Sequence, residues 1–391
     1  MSECERVTAI PPIDLTEQFK TIQQEVNAAV AEVLASGKYI NGPVVQTFAR
    51  SFGDFVGTQE CVVCNSGTDA LYLALRALGI GPGDEVITSP FTFIATAETI
   101  SAVGAKPVFV DIDLASFNLD CSQIEAAISD RTRAIIPVHL FGRPVAMDQV
   151  MAIANRYNLK VIEDCAQATG AEWQGKRVGS IGHVGCFSFF PTKNLGGCGD
   201  GGAVTTHDPD LAATMKMLAE HGSRVKYHHE AIGINSRLDS VQAAILEIKL
   251  RYLDRWNQAR TDVADRYHTL LRGLDDVALP QNEPAGKAVW NQYTLRLTQV
   301  SDGGDLRDRV RQALLDRGVI CMVYYPIPLH QQLVYSRLNY ASGALPRSEQ
   351  AAHQVLSLPM FPELGIEQQQ QVAQSLQEVL QTVGAVAPQF C

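Results

Sequence analysis

Positive charge in excess is the first thing this chain lacks: 32 Lys and Arg stand against 42 Asp and Glu, a formal net charge of -10. A field of that sign neutralises neither nucleic-acid phosphates nor anionic lipid, which sets aside DNA-binding and polybasic membrane roles. No apolar run approaches the length that spans a bilayer, and Met1-Ser-Glu-Cys-Glu-Arg6 is not a basic stretch followed by an apolar leader core. The expected location is therefore cytoplasmic. Also lacking is any cysteine spacing of a disulfide framework, a zinc site or an iron–sulfur cluster, so no metal is expected. Nine cysteines scattered through 391 residues fit a reducing compartment. Cys61 and Cys64 do form a CxxC, but in the strand-like run Glu60–Asn65 alternation sends residues three apart to opposite faces, and no second CxxC or His pair completes a site. They read as small core residues.

What is present is enough apolar sequence, 46% of the chain, to bury a large core, with a division into a large domain and a smaller one expected. Between residues 60 and 206 short β-branched runs alternate with helical patterns, the signature of an α/β domain with a mostly parallel sheet covered on both faces. Seven strands are expected: Cys61–Cys64, Val86–Ser89, Val108–Val110, Ala134–Val138, Lys160–Glu163, Gly185–Phe189 and Ala203–Thr206. Helical periodicity marks Thr68–Leu78, ended by Gly79, and Met147–Asn158. One long helix is expected from Ser240 to about Tyr267. Beyond it the pattern gives a loop at Gln281–Gly286, strands at Gln292–Leu297 and Val319–Val323, and helices at Asp305–Arg317 and Glu367–Val383. The expected boundaries are a large domain over 1–255 and a small α+β domain over 256–391.

Three stretches carry chemistry. Asn65-Ser-Gly-Thr-Asp69 lies between a strand and a buried helix, where small residues let N–H groups at a helix start approach an anion; the bland alternative is an ordinary helix cap. Val161-Ile-Glu-Asp-Cys-Ala-Gln167 is an apolar strand ending in a carboxylate, and in open α/β sheets ligands bind outside such strand ends. There Asp164 could keep a ring nitrogen protonated, as the electron sink of pyridoxal phosphate requires, and Gln167 could reach that ring's phenolic oxygen. The third, Gly185 to Gly202, delivers Lys193 between Phe190 and Leu195 and ahead of a glycine-rich stretch. Apolar surroundings disfavour the ammonium and favour the neutral amine that condenses with an aldehyde. Ser188, just before, could donate to a phosphate. His139 reads as a satisfied core histidine.

These residues together resemble the DegT/StrS family of sugar aminotransferases, which are fold-type I pyridoxal-phosphate enzymes. The resemblance runs in order through Gly37–Pro43, Ser66–Ala70, Ile162–Gln167, Phe187–Lys193, Gly233–Asp239, Tyr324–His330 and Leu356–Met360, nearly the whole chain. It implies that Lys193 is the Schiff-base lysine, Asp164 the ring-nitrogen partner, Gln167 the phenolic-oxygen partner, and Gly67, Thr68 and Ser188 phosphate binders. Phe93 resembles the ring-stacking aromatic, with Phe91 the other candidate. Asn235 resembles a residue reaching the phosphate from a second subunit, which implies a homodimer with shared active sites. Arg237, His330, Tyr325 and Tyr39 resemble substrate contacts. Lysine rather than histidine at 193 favours transamination over dehydration.

The implied activity is amino transfer, from glutamate by analogy, to a nucleotide-linked keto-sugar. The form Tyr324-Tyr-Pro-Ile-Pro-Leu-His330 resembles the branch acting at C-3; amination at C-4, or of a cyclitol or aminobenzoate precursor, stays open, as does a non-catalytic regulator. A basic stretch, His221 to His229 followed by Arg237, would offset the overall acidity where an anionic substrate binds, or is simply a solvated loop.

Overall fold

The structure is a computed structural model and describes residues 9–281, 283–299 and 306–384. Two helices, α1 (Thr16–Ser36) and α2 (Pro43–Val56), precede the sheet. The chain then runs through β1 (Glu60–Cys64), α3 (Gly67–Ala77), β2 (Glu85–Thr88), α4 (Ala95–Ala102), β3 (Lys106–Phe109), β4 (Thr132–Ile136), α5 (Met147–Tyr157) and β5 (Lys160–Asp164). A short hairpin follows, β6 (Glu172–Trp173) and β7 (Lys176–Arg177), then β8 (Val184–Ser188), β9 (Gly202–Thr206) and α6 (Pro209–Ala219).

The seven-stranded sheet has the order β1-β9-β8-β5-β4-β2-β3, with β9 antiparallel to both its neighbours and the other pairings parallel. The expected mostly parallel α/β sheet is therefore present. Since β1 is antiparallel to an antiparallel strand, it points the same way as the parallel set. The C-terminal ends of β1, β2, β4, β5 and β8 and the start of β9 thus share one edge. Strands β2, β8 and β9 are buried at every position, as strands covered on both faces are.

A second hairpin, β10 (Ser223–Val225) and β11 (His228–His229), leads to α7 (Ser240–Leu250) and α8 (Leu253–Leu270). The remainder holds β12 (Val277–Ala278), β13 (Gly286–Lys287), β14 (Tyr293–Leu297), α9 (Leu306–Asp316), α10 (Pro346–Gln354), β15 (Val355–Leu358) and α11 (Ile366–Gly384). Strand β14 lies between β12 and β15, antiparallel to both. Its side chains pack with those of α8, α9 and α11 into a separate core, which Ile10 joins from the other end of the chain. Ile10 bridges Val319, and Pro12 accepts from the Met360 N–H at 3.0 Å.

Two expectations change. The single helix from Ser240 breaks at Arg251–Tyr252, where N–H groups bond three residues back (Arg251 to Ile248, 3.2 Å; Tyr252 to Lys249, 3.0 Å) and Glu25 of α1 accepts from both side chains. No Pro or Gly marks the break. Val319–Val323 is not a strand: its ends bridge different neighbours, Val319 with Ile10 and Met322 with Ser357, so no ladder forms. The pattern also left α1, α2, α4, α6 and α10 unplaced; the expected helix start at Asp305 falls outside the described residues. Among the described residues no helix is long and apolar enough to cross a membrane. Burial pushes the Cys61 and Cys64 thiols up, which keeps them protonated and unreactive.

Beside the sheet Phe52 meets Phe187 and Phe189 edge-on at 5.0 and 5.1 Å between centroids and lies 5.7 Å from Phe48. Phe52→Ala should cost about 3–5 kcal/mol; a fall in the urea midpoint of unfolding measures it, and an unchanged midpoint would contradict this packing.

Candidate active site

A cavity of about 590 Å³ opens along the shared strand edge. Its wall brings together Gly67, Thr68, Phe93, Asp164, Gln167, Ser188, Lys193 and Tyr325, eight of the residues singled out in the sequence. Because β1, β5 and β8 all end here, residues more than 120 apart in the chain become neighbours.

At one end Ser66 caps α3, its Oγ accepting from the Asp69 N–H at 3.1 Å. That leaves the earlier N–H groups, on Gly67 and Thr68, at a helix start on the cavity wall, the arrangement that receives anions. The approach is tight: a Cβ at Gly67 would lie 2.6 Å from Ser188 Cβ, and one at Gly202 would lie 2.4 Å from the Ser66 carbonyl oxygen.

At the centre Asp164 accepts from the Thr96 hydroxyl at 2.8 Å and the Ala166 N–H at 3.1 Å, and Thr92 in turn pairs with Thr96 at 3.2 Å. Desolvation raises the Asp164 pKa, while these donors and the Lys193 ammonium oppose it. Facing it, burial lowers the Lys193 pKa to about 8, against the attraction of Asp164. Gln167 Oε1 accepts from the Phe141 N–H at 2.7 Å and its Nε2 donates to the Tyr325 hydroxyl at 3.1 Å. Burial holds that phenol well above its ordinary value.

The turn bearing Lys193 is fastened on both sides. Its own N–H donates to Phe190 O at 2.9 Å; Asn291 Nδ2 holds Thr192 O at 3.3 Å, and Asn194 Nδ2 donates to Asn257 Oδ1 at 2.7 Å and Val289 O at 2.8 Å. Behind β5, His139 takes the Val145 N–H on Nδ1 at 3.0 Å, so its proton sits on Nε2 and is donated to Glu163 Oε2 at 3.1 Å. Glu163 also accepts from the N–H groups of Gly179, Ile181 and Gly182. His139, Glu163 and Cys165 lie close enough to share an ion, yet the imidazole and carboxylate are committed to protein donors and burial keeps the thiol protonated.

The other sequence candidates lie off this wall in the single chain. Phe91 is fully buried against Phe117. His330 is buried with Nε2 on Glu349 Oε1 at 3.0 Å. Tyr39 is half-exposed in a separate depression with Asn41 and Gln46. Asn235 is exposed, and Arg237 keeps a buried Nε without a partner. Sequence reasoning missed Thr96, Tyr324 and Gln292 on the wall. Of these only Thr96 left a signal, its four-residue spacing from Thr92 across the start of α4.

A doubly covered, mostly parallel sheet with a lysine, a strand-end carboxylate and a helix start converging on one cavity is the architecture of the fold-type I transferases. The chain belongs to the DegT/DnrJ/EryC1/StrS aminotransferase family, whose sequence model matches residues 20–377. It is 46% identical over 371 residues to a pleiotropic regulatory protein of Geobacillus stearothermophilus, covering 94% of this chain and 98% of that protein. It is also 46% identical over 373 residues to the UDP-N-acetyl-3-dehydro-alpha-D-glucosamine 3-aminotransferase of Acidithiobacillus ferrooxidans, covering 95% and 98%. The crystal structure of NtdA from Bacillus subtilis with bound cofactor PMP superimposes with a TM-score of 0.89, with 34% identity over 97% of this chain and 87% of that one.

The depressed Lys193 pKa has a direct consequence. In cofactor-free protein, acylation of Lys193 should rise with pH to half its limit near pH 8, where an ordinary lysine stays protonated, and Asp164→Asn should move that midpoint lower by removing the charge that favours the ammonium. Competitive labelling with mass mapping reads both; a midpoint above 10 would contradict the burial.

Proposed function

We propose that the protein transfers an amino group from an amino acid, glutamate by analogy, to C-3 of a nucleotide-linked keto-sugar, with pyridoxal phosphate as cofactor. The observation that carries this reading is the pairing of Lys193 and Asp164 in one cavity, the amine brought to about 8 by burial. The residues present fit the cofactor: tight contact at Gly67 leaves helix N–H groups for a phosphate, and Asp164 and Gln167 supply an acid and an amide for a ring. When bound, pyridoxal phosphate supplies an aldehyde that condenses with amines and a protonated ring that withdraws electrons from a substrate carbon.

In this reading Asp164, oriented by Thr96 and Ala166, holds the proton on the ring nitrogen. Gln167 Nε2, which otherwise donates to Tyr325, holds the phenolic oxygen. Gly67, Thr68 and Ser188 bind the phosphate, and half-exposed Phe93 covers the ring, a place that buried Phe91 does not reach. Lys193 Nζ would be the covalent attachment point and, as a neutral amine, would move the proton between the substrate carbon that loses or gains the amino group and the cofactor carbon that carries it in between. Two copies share each site, Asn235 reaching the partner's phosphate group, and the family resemblance assigns Tyr39, Arg237, Tyr325 and His330 to the sugar nucleotide, although within one chain His330 is held by Glu349. The division at 1–255 and 256–391 then separates the cofactor-binding unit from the smaller one, and the protein works in the cytoplasm. The C-3 position is supported by the Acidithiobacillus relative and by Tyr324–His330. A purely regulatory role, suggested by the Geobacillus relative's name, would not need Lys193, Asp164 and Gln167 kept together.

Borohydride reduction of the holoprotein followed by peptide mapping should place a pyridoxyl group on Lys193. Lys193→Ala should lower turnover of UDP- and dTDP-linked 3-keto-sugars by at least about a thousandfold. Normal turnover in that variant, or faster amination of an inosose than of any keto-sugar, would overturn the assignment.

A further inference from the structure

Lys249 is the other lysine whose pKa burial lowers to about 8, and nothing in the reaction above uses it. It sits on α7, 7% exposed, and donates from Nζ to the carbonyl oxygen of Gly196, with its ammonium 5.9 Å from the centre of the Trp256 ring. No carboxylate among the described residues is within ion-pair distance; Glu363 favours its charge from further off, as Cys198 does, and Arg260 opposes it. A buried ammonium with so little compensation is expensive, and a methionine would fill the same space without that cost.

The atom it holds matters. Gly196 is wound tightly onto the residues before Lys193: a Cβ there would lie 2.2 Å from the Pro191 carbonyl oxygen, and Gly197 N–H donates to Phe189 O at 2.8 Å. Seven residues earlier on the same face of α7, Gln242 Oε1 accepts from the Cys198 N–H at 2.8 Å. The loop therefore closes around Lys193, and α7 grips its far side at two points.

We propose that Lys249 is a positioning residue for Lys193, pinning the Gly196 carbonyl so that the turn from Phe189 to Gly197 aims the Lys193 amine into the cavity. The inference rests on Lys193 being the cofactor lysine. A misplacement of about 1 Å at a reacting group costs on the order of a hundredfold in rate, so a loosened turn is visible without loss of the fold.

Wild type, Lys249→Met and Lys249→Gln are compared by hydrogen exchange over 189–199 in the cofactor-free state and, after pyridoxal phosphate is added, by the rate of pyridoxyl tagging at Lys193 with borohydride. Expected for Lys249→Met are an unchanged or raised thermal midpoint, faster exchange in that segment, and tagging and kcat reduced by about ten- to a hundredfold with KM for the keto-sugar unchanged. Lys249→Gln, which still donates to Gly196, should recover most of the loss. Wild-type exchange and tagging in Lys249→Met overturn the proposal. Should that variant not fold, a folded Lys249→Gln that tags slowly with ordinary exchange overturns it equally. A wild-type tag on another lysine would instead sink the reading of Lys193, leaving the exchange data to decide whether Lys249 holds the turn.

Discussion

Taking the Lys193 ammonium out of water while setting the Asp164 carboxylate beside it puts two opposed effects in one place. Burial drives the lysine toward its neutral form and the aspartate toward its protonated form, while the attraction between them favours both charges. The outcome is an amine near 8, poised to exist in either state at working pH, opposite an acid held by Thr96 and Ala166. Neither group could sit this way on an open surface, where solvent would screen the attraction and remove the desolvation.

The architecture exists to make that dry pairing possible. Parallel strands β4, β5 and β8 converge their C-terminal ends, and the reversed β9 returns its start to the same edge, so a carboxylate, an amine and a helix start meet without any one loop having to be long. The layers behind them are equally specific. Glu163, next to Asp164 but on the opposite face of β5, fastens the turn at 179–182 and His139, while Asn194, Asn257 and Asn291 fasten the turn at Lys193. Polar groups buried this deeply are useful only when satisfied, and here most are.

Legibility in the sequence followed the range of the forces involved. Strands β1 to β5, β8 and β9 were visible because burial on both faces demands near-continuous β-branched or apolar residues, and α3 because an amphipathic stripe ends at Gly79. The break between α7 and α8 was not visible, since contacts with Glu25 of a distant helix set it. Val319–Val323 has the composition of a strand, but strand formation needs a continuous partner and its neighbours change partway along. Of the site, residues with unusual local context stood out, such as a lysine among phenylalanines. Tyr324 and Gln292 have ordinary local context and gain meaning only from what faces them.

By itself the sequence determined the chemistry on offer: which strand ends in a carboxylate, which lysine follows a pair of phenylalanines, and which helix starts with small residues, because these depend on a few adjacent side chains. Tertiary structure alone decided that Asp164 and Lys193 share one enclosure, that Phe93 and not Phe91 reaches it, and that His330 turns instead to Glu349. Those outcomes depend on strand order and on side chains far apart in the chain, and local pattern carries no record of which distant surface will exclude the water.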